Sequence, residues 1–258
     1  MLSAEQRDEF ELRGVVYLRG AVDAARVAAF RAAIEGFVAA NGIRPRGDGP
    51  WLAISAGRLR SVARAHGFAE LWGDTVIGSI DAVVGAERWK VPKHAGQILA
   101  LNWPQPAFPW QVTAQSWHLD FMAPGAATAL PGVQVFLCVD RVEPRGGATL
   151  VAAGMPRLVD AIRRRRGPKW EGHSADVRGA AKREVPWFRE LCSVREGEDR
   201  VARFMERATE FEGSQLQVVE LCGEPGDVWL MHPWMLHSAS ANTRTRPRLV
   251  LTDRIRAS

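Results

Sequence analysis

Apolar and polar positions fall into two textures along the chain. At the start, Ser3 stands before a helical stretch with Gln6 three residues on, the spacing of a capping box, and Gly14 sits where a helix can stop; a short helix is expected over about 4–13. VVYLRG then reads as a strand. Asp23 suits the cap of a long helix that runs through Phe30, Ile34 and Phe37 and ends near Asn41-Gly42. Residues 1–90 are thus expected to be mainly helical support. From Gln97 onward the texture changes to short apolar runs, QILALNW, SWHLDFM, GVQVFLCV, ATLVAA, LQVVEL, DVWLMH and RLVLTDRI, punctuated by glycine and proline. Short, evenly spaced strands of this kind predict a sandwich or barrel rather than a parallel α/β sheet. Between Pro156 and Glu212 the pattern turns helical and charged, with four arginines at 163–166 and the run EDRVARFMERATEF; this stretch reads as an insertion between strands. The arginine run reads as a solvated helix face, with contact to an anionic substrate as the alternative.

Length and composition refine this picture. A chain of 258 residues with 47% hydrophobic and 24% charged positions can bury a sizeable core, and one domain spanning 1–258 is expected, with 91–258 as its β-rich core. The sequence shows no run of about 18 uncharged apolar residues, and MLSAEQRDEF lacks the basic start and apolar segment of a signal peptide, so no membrane association and a cytoplasmic location are expected. Cys138, Cys192 and Cys222 are few, odd in number and far apart, which argues against a disulfide framework and against a thiolate zinc site. Any metal must then be held by nitrogen and oxygen. The net charge of +5 arises from 34 basic residues spread among 29 acidic ones, with no basic stripe that would point to nucleic acid.

The chemistry begins at Trp117-His118-Leu119-Asp120. Residues two apart on an extended segment face the same way, so the imidazole of His118 and the carboxylate of Asp120 are aimed at one point. Such a pair alone is common. Far downstream, GEPGDVWLMHPWMLHSASANTRTRPRLVL joins a turn, an apolar strand, two histidines and an arginine-bearing strand in close order, and either His232 or His237 can supply a third ligand. Two histidines and one carboxylate on one face of an iron leave the opposite positions open, the arrangement non-haem iron oxygenases use.

The His-x-Asp followed by HPxxxHxxxxN and an RPR strand resembles the phytanoyl-CoA dioxygenase family of iron(II)/2-oxoglutarate oxygenases. The resemblance extends to LSAEQRDEFELRGVVYLRG at the start and to GVQVFLCVDRVEPRGGATLVAAGMPR between the ligands, and so covers most of the chain. It implies a mainly β fold with flanking helices, a cupin-like double-stranded β-helix or jelly roll. It implies His118, Asp120 and His237 as the catalytic metal ligands, since the family's distal ligand precedes small residues and an asparagine, here Ser238 to Asn242. His66, His94 and His173 lack a paired carboxylate and read as structural or exposed. The family's cosubstrate arginine lies about eleven residues beyond the last histidine, at Arg248. A guanidinium suits the distal carboxylate of 2-oxoglutarate because it stays charged and presents paired donors. Alternation along RPRLVLTDRI puts Arg246 and Arg248 on one face, so parity does not separate these two; Arg244 lies in the polar turn. Asn102 and Gln97 stand where relatives hold polar contacts to cosubstrate or substrate. Phe136, which shares a strand face with Gln134, matches an aromatic beside 2-oxoglutarate in relatives, and reads equally as core. Trp103, Trp110, Trp117, Trp229 and Trp234 lie around the motifs, where they read mostly as core and otherwise as the lining of an apolar pocket.

The resemblance implies Fe(II) with 2-oxoglutarate and dioxygen as cosubstrates, and oxidation of a C–H bond of a small-molecule metabolite with release of succinate and CO2. Halogenating relatives replace the carboxylate ligand with a small residue, so Asp120 points to hydroxylation; desaturation, ring formation and epimerisation use the same ligands. Two other classes stay open at this stage: a cupin-like isomerase or dioxygenase that uses the metal without 2-oxoglutarate, and a binding module that has lost the metal. The sequence does not specify substrate identity or oligomeric state, because this fold carries specificity in its loops.

Overall fold

The structure, a computed structural model, describes residues 1–41, 51–55, 73–91, 98–105, 107 and 109–258. Helix α1 (Ala4–Arg13) opens with the expected capping box: the Ser3 hydroxyl accepts from the Gln6 N–H, and the Gln6 side chain accepts from the Ser3 N–H. Gly14 closes it in the left-handed region at φ 79°, a conformation that disfavours any side chain. Strand β1 (Val15–Leu18) follows, and then α2 (Ala24–Ala40), whose first turn is capped by the Asp23 carboxylate accepting from the Arg26 N–H. Val27, Phe30 and Ile34 form the buried stripe of α2, and Phe37 packs beside them. Helix α3 spans Asp74–Val84.

The remaining strands are β2 (Trp51–Ser55), β3 (Ile98–Asn102), β4 (Gly132–Cys138), β5 (Thr149–Ala153), β6 (Thr209–Phe211), β7 (Ser214–Glu220), β8 (Val228–Met231), β9 (His237–Ala239) and β10 (Arg248–Arg256). They form a six-stranded sheet in the order β1-β8-β4-β10-β3-β2 and a four-stranded sheet in the order β6-β7-β5-β9. The pairing is antiparallel, and apart from the β6–β7 hairpin the spatial neighbours are distant in sequence, as in a jelly roll. Both edges of the large sheet, β1 and β2, come from the N-terminal third. The apolar periodicity did not reveal β2.

Three apolar layers hold these sheets. On β4, Val133, Val135 and Leu137 face outward onto α2 and α3, while Phe136 and Cys138 face inward between the sheets. All seven β4 residues are buried, which explains the nearly continuous apolar run GVQVFLC: both faces are covered. On β10, Leu249, Leu251 and Ile255 face outward and Val250 inward. Alternation therefore turns Arg248, Thr252 and Arg254 to the interior face as well. The outer face of the small sheet is covered by α4 (Met155–Arg166), α5 (Ser174–Glu184) and α6 (Pro186–Leu191), all inserted between β5 and β6.

Two expectations need correction. SWHLDFM is not a regular strand: within it only His118 makes a ladder contact, an isolated bridge to His237. Ser116 at φ 64° bends the chain into the segment, and beyond it the Ala123 and Gly125 N–H groups bond to Gly172 and Trp170 instead of to a strand. Burial nevertheless alternates along it, with Trp117, Leu119 and Phe121 buried and His118 and Asp120 partly exposed. The arginine run is not a uniformly solvated face either. Arg163 is buried, donates to the carbonyls of Pro124 and Ala127 at 3.2 and 2.8 Å, and lies 4.2 Å over the Trp234 ring. Arg164 pairs with Asp160, and Arg165 and Arg166 both meet Glu184. Among the described residues no helix is long and apolar enough to cross a membrane.

Candidate metal centre

The site starts from a backbone contact. The N–H of His118 donates to the carbonyl of His237 at 3.0 Å and the N–H of His237 returns the bond at 3.0 Å, so the segment around 118 is pinned to β9. The two imidazoles come to lie side by side, with ring centroids 4.2 Å apart. Asp120, two residues on, reaches the same point: its carboxylate oxygens lie 3.9 Å from His118 Nε2 and 3.5 Å from His237 Nε2. Ligand atoms of the three residues all fall within 4.8 Å of one another, close enough to share one ion.

Both imidazoles are oriented for this in the same way. His118 Nδ1 lies 2.8 Å from the Ser116 carbonyl, and His237 Nδ1 lies 3.0 Å from the Met235 carbonyl. A carbonyl only accepts, so each Nδ1 carries the proton and each Nε2 presents a lone pair to the centre, the outer-shell arrangement of metal-ligating histidines. Burial, with His237 alongside, lowers the His118 pKa and favours its neutral, ligating form. Burial alone would raise the Asp120 pKa, but His237, Arg254 and Gln134 together hold it well below the usual carboxylate range. The His118 side chain is 44% exposed and that of His237 only 6%, so the centre opens to solvent on the His118 side.

His232, the rival ligand, lies elsewhere. Its ring sits between Phe10 and Trp234, its Nδ1 accepts from the Trp234 N–H at 3.1 Å, and burial together with the Arg163 charge pulls its pKa down to about 3. It is a neutral packing residue between α1 and the loop before β9.

Arg248 is buried at the start of β10 on the interior face. Its Nη1 donates to the Thr149 hydroxyl at 3.3 Å, its Nε has no hydrogen-bond partner, and among the described residues no carboxylate pairs with it. Burial pulls its pKa down to about 10, although it still carries its charge at neutral pH. Arg246 and Arg244 are exposed and precede the strand, so burial separates the rivals that alternation did not. Asn102 stands directly opposite Arg248 in the ladder between β3 and β10. Its amide donates to the carbonyls of Ser240 and Gly147, and its Oδ1 is buried without a partner. Gln97, His66 and His94 lie outside the described residues. His173 is exposed as expected, but against expectation it has a carboxylate partner, Glu171 two residues before it. Phe136 is buried between the sheets. Trp117 and Trp234 pack in the layer beneath the insertion helices, and Trp110 and Trp103 pack at the rims of the two outer layers. Trp229 stacks on Tyr17, with ring centroids 4.7 Å apart.

Sequence reasoning missed two residues at the centre. Gln134 donates to Asp120 Oδ2 at 2.7 Å, and Arg254 reaches Asp120 Oδ1 at 3.3 Å. These two are ladder partners on β4 and β10, and so grip opposite oxygens of one carboxylate. The alternation that grouped Arg246 with Arg248, continued along the strand, would have reached Arg254.

Comparisons with known proteins agree with this architecture. A family model described as phytanoyl-CoA dioxygenase (PhyH) matches residues 10–250. No curated protein sequence matches the chain. Among solved structures, the non-haem α-ketoglutarate-dependent epimerase SnoN from nogalamycin biosynthesis superposes with a TM-score of 0.58 at 15% identity, covering 96% of this chain and 79% of that one. The carbocyclase SnoK from the same biosynthesis gives 0.56 at 16% identity, covering 100% and 84%. HygX from Streptomyces hygroscopicus, solved with nickel and 2-oxoglutarate bound, gives 0.52 at 13% identity, covering 98% and 86%. At such identities these likenesses establish the fold.

Proposed function

The chain belongs to the phytanoyl-CoA dioxygenase family and is a 2-oxoglutarate-dependent non-haem iron enzyme; within that class, we propose that it hydroxylates an unactivated C–H bond of a small molecule. In this reading His118, Asp120 and His237 hold the iron, and Arg248 receives the distal carboxylate of 2-oxoglutarate. Asn102 and Gln97 are further contacts to the cosubstrate, and residues 1–258 work as one unit.

The residues fit iron and 2-oxoglutarate on their own chemistry. Three ligands converge with both imidazoles oriented by backbone carbonyls. The observation that carries the cosubstrate is Arg248: a buried guanidinium with no carboxylate partner among the described residues is costly unless a ligand brings one. When bound, iron and 2-oxoglutarate supply the oxidation, consuming dioxygen and releasing succinate and CO2. The protein's own part is positional. Gln134 and Arg254 orient the Asp120 carboxylate, the pinned backbones of His118 and His237 keep the two imidazoles at one spacing, and the apolar layer around Phe136, Val250 and Met231 keeps water from the interior. The retained carboxylate ligand favours hydroxylation. The structural neighbours SnoN and SnoK are an epimerase and a carbocyclase, so product analysis must accompany turnover.

The test follows 2-oxoglutarate conversion to succinate with Fe(II) and dioxygen, in wild type and in Arg248→Ala. Wild type is expected to release succinate, and a small-molecule library to contain compounds that raise the rate. Loss of a buried charge-assisted contact of about 2 kcal/mol or more should raise the 2-oxoglutarate requirement of Arg248→Ala at least about 30-fold, with metal binding retained. Unchanged 2-oxoglutarate dependence in Arg248→Ala would take the distal carboxylate off Arg248, and a folded, metal-loaded wild type that releases no succinate would favour a cupin-like metalloenzyme that does not use this cosubstrate.

A further inference from the structure

Arg254 lies on the interior face of β10 at the open side of the metal centre, its side chain one-third exposed, and among the described residues its ion-pair partner is Asp120. That partnership is loose. The contact is 3.3 Å long, the Asp120 carboxylate is already held at 2.7 Å by Gln134, and the Arg254 Nε is buried with no hydrogen-bond partner. With a third of the side chain exposed and one loose contact to Asp120, the outer donors of the guanidinium stay free beside the place where a reacting molecule must sit.

The charges of the loaded site sharpen this. A ferrous dication is matched by Asp120 and by the cosubstrate carboxylate that joins the metal, and Arg248 is matched by the distal carboxylate. Asp120 then serves the metal, and among the described residues Arg254 keeps one positive charge without a counterion in a partly desolvated mouth, where charge is costly. Two residues on along the same strand face, Arg256 lies 5.6 Å over the Phe121 ring and adds a second cation to the rim.

We propose that Arg254 is the receptor for an oxyanion, a carboxylate or phosphate, carried by the primary substrate. The inference rests on the reading of the centre as an iron and 2-oxoglutarate site. A role confined to orienting Asp120 would leave the exposed third of the side chain unused and would give no preference for anions.

The test uses the full chain loaded anaerobically with Fe(II) and 2-oxoglutarate, with the visible charge-transfer band of the chelate as the signal. Acetate, inorganic phosphate and the neutral acetamide are titrated in turn. One charge-assisted contact corresponds to a factor of at least about ten, so acetate or phosphate is expected to perturb the band at concentrations at least tenfold lower than acetamide. Whichever of the two acts identifies the oxyanion. Arg254→Gln, whose weaker hold on Asp120 is offset by saturating Fe(II) and 2-oxoglutarate, should still give a chelate band yet lose the discrimination, and Arg254→Lys should restore part of it. An anion response that survives Arg254→Gln would place the anion on the metal and overturn the proposal, as would equal responses to anion and amide in wild type. A folded wild-type protein without any band would overturn the iron and 2-oxoglutarate reading, and this inference with it, and is told apart by that absence.

Discussion

At Asp120 three demands meet on one carboxylate: a share in the metal, the Gln134 amide on one oxygen and the Arg254 guanidinium near the other. The ligand's direction is thus set by residues on two strands, β4 and β10, outside its own segment. Loss of such outer-shell partners typically costs 10–100-fold in metal affinity or activity. Gln134→Leu, which keeps the bulk and removes the amide, should weaken Fe(II) binding by about that factor without unfolding the protein; metal titration beside a thermal melt separates the two effects. Asp120→Ala should abolish the centre outright. His232 behaves in the opposite manner, as a neutral packing residue. Its pKa of about 3 lies below the ordinary 6.5, so the unfolded chain takes up the proton first. The stability it allows is complete above pH 6.5 and is lost as the pH falls toward 3. By pH 4.5 the loss reaches up to about 2–3 kcal/mol. Denaturant midpoints across that window, compared with those of His232→Leu, should show a shallower acid limb in the variant.

The elements that carry the site depend on contacts between pieces far apart in sequence. Gly14 ends α1 at a φ of 79°, and a Cβ there would meet Pro156 Cγ at 2.5 Å and the Met235 side chain at 2.7 Å. The turn is where α1, the start of α4 and the approach to β9 close on one another. Gly14→Ala combines left-handed strain with overpacking and should cost about 2–4 kcal/mol, a fall in the melting temperature of roughly 5–10 °C. A melt within about a degree of wild type would show that the three elements yield freely there. Arg163 ties α4 to the loop after Asp120 through the carbonyls of Pro124 and Ala127. Arg163→Met should speed hydrogen exchange across residues 121–131 and weaken metal binding, since it frees two acceptors and the segment that follows a ligand.

Across the whole molecule, legibility tracked how local each determinant was. The capping box at Ser3, the Gly14 stop and the Asp23 cap are short-range devices, and the structure has each where the sequence predicted it. The jelly roll was readable because its strands are short and punctuated, although their spatial order depends on pairings such as β1 with β8 that no local pattern encodes. The segment around His118 was misjudged as a ladder strand because alternation reports extended backbone, whereas ladder membership depends on where the partner chain runs. Arg248 and Arg246 were separable only by burial, which requires the third dimension. Gln134 and Arg254 were hidden because their role lies across the ladder, from β4 and β10 to a carboxylate on another segment. Binding of the cosubstrate should also register globally. With metal present, 2-oxoglutarate at about 100 times its dissociation constant should stabilise the fold by roughly 2.7 kcal/mol, a shift in the melting temperature that Arg248→Ala should largely lose.

The most direct measurement is the visible absorption of the anaerobic protein on addition of Fe(II) and then 2-oxoglutarate. A charge-transfer band is predicted to appear only when both are present, to saturate at one equivalent of iron, and to vanish in His237→Ala while surviving in His232→Leu. A folded protein that binds iron but gives no band, or a band that depends on His232 instead of His237, would contradict the assignment of this centre.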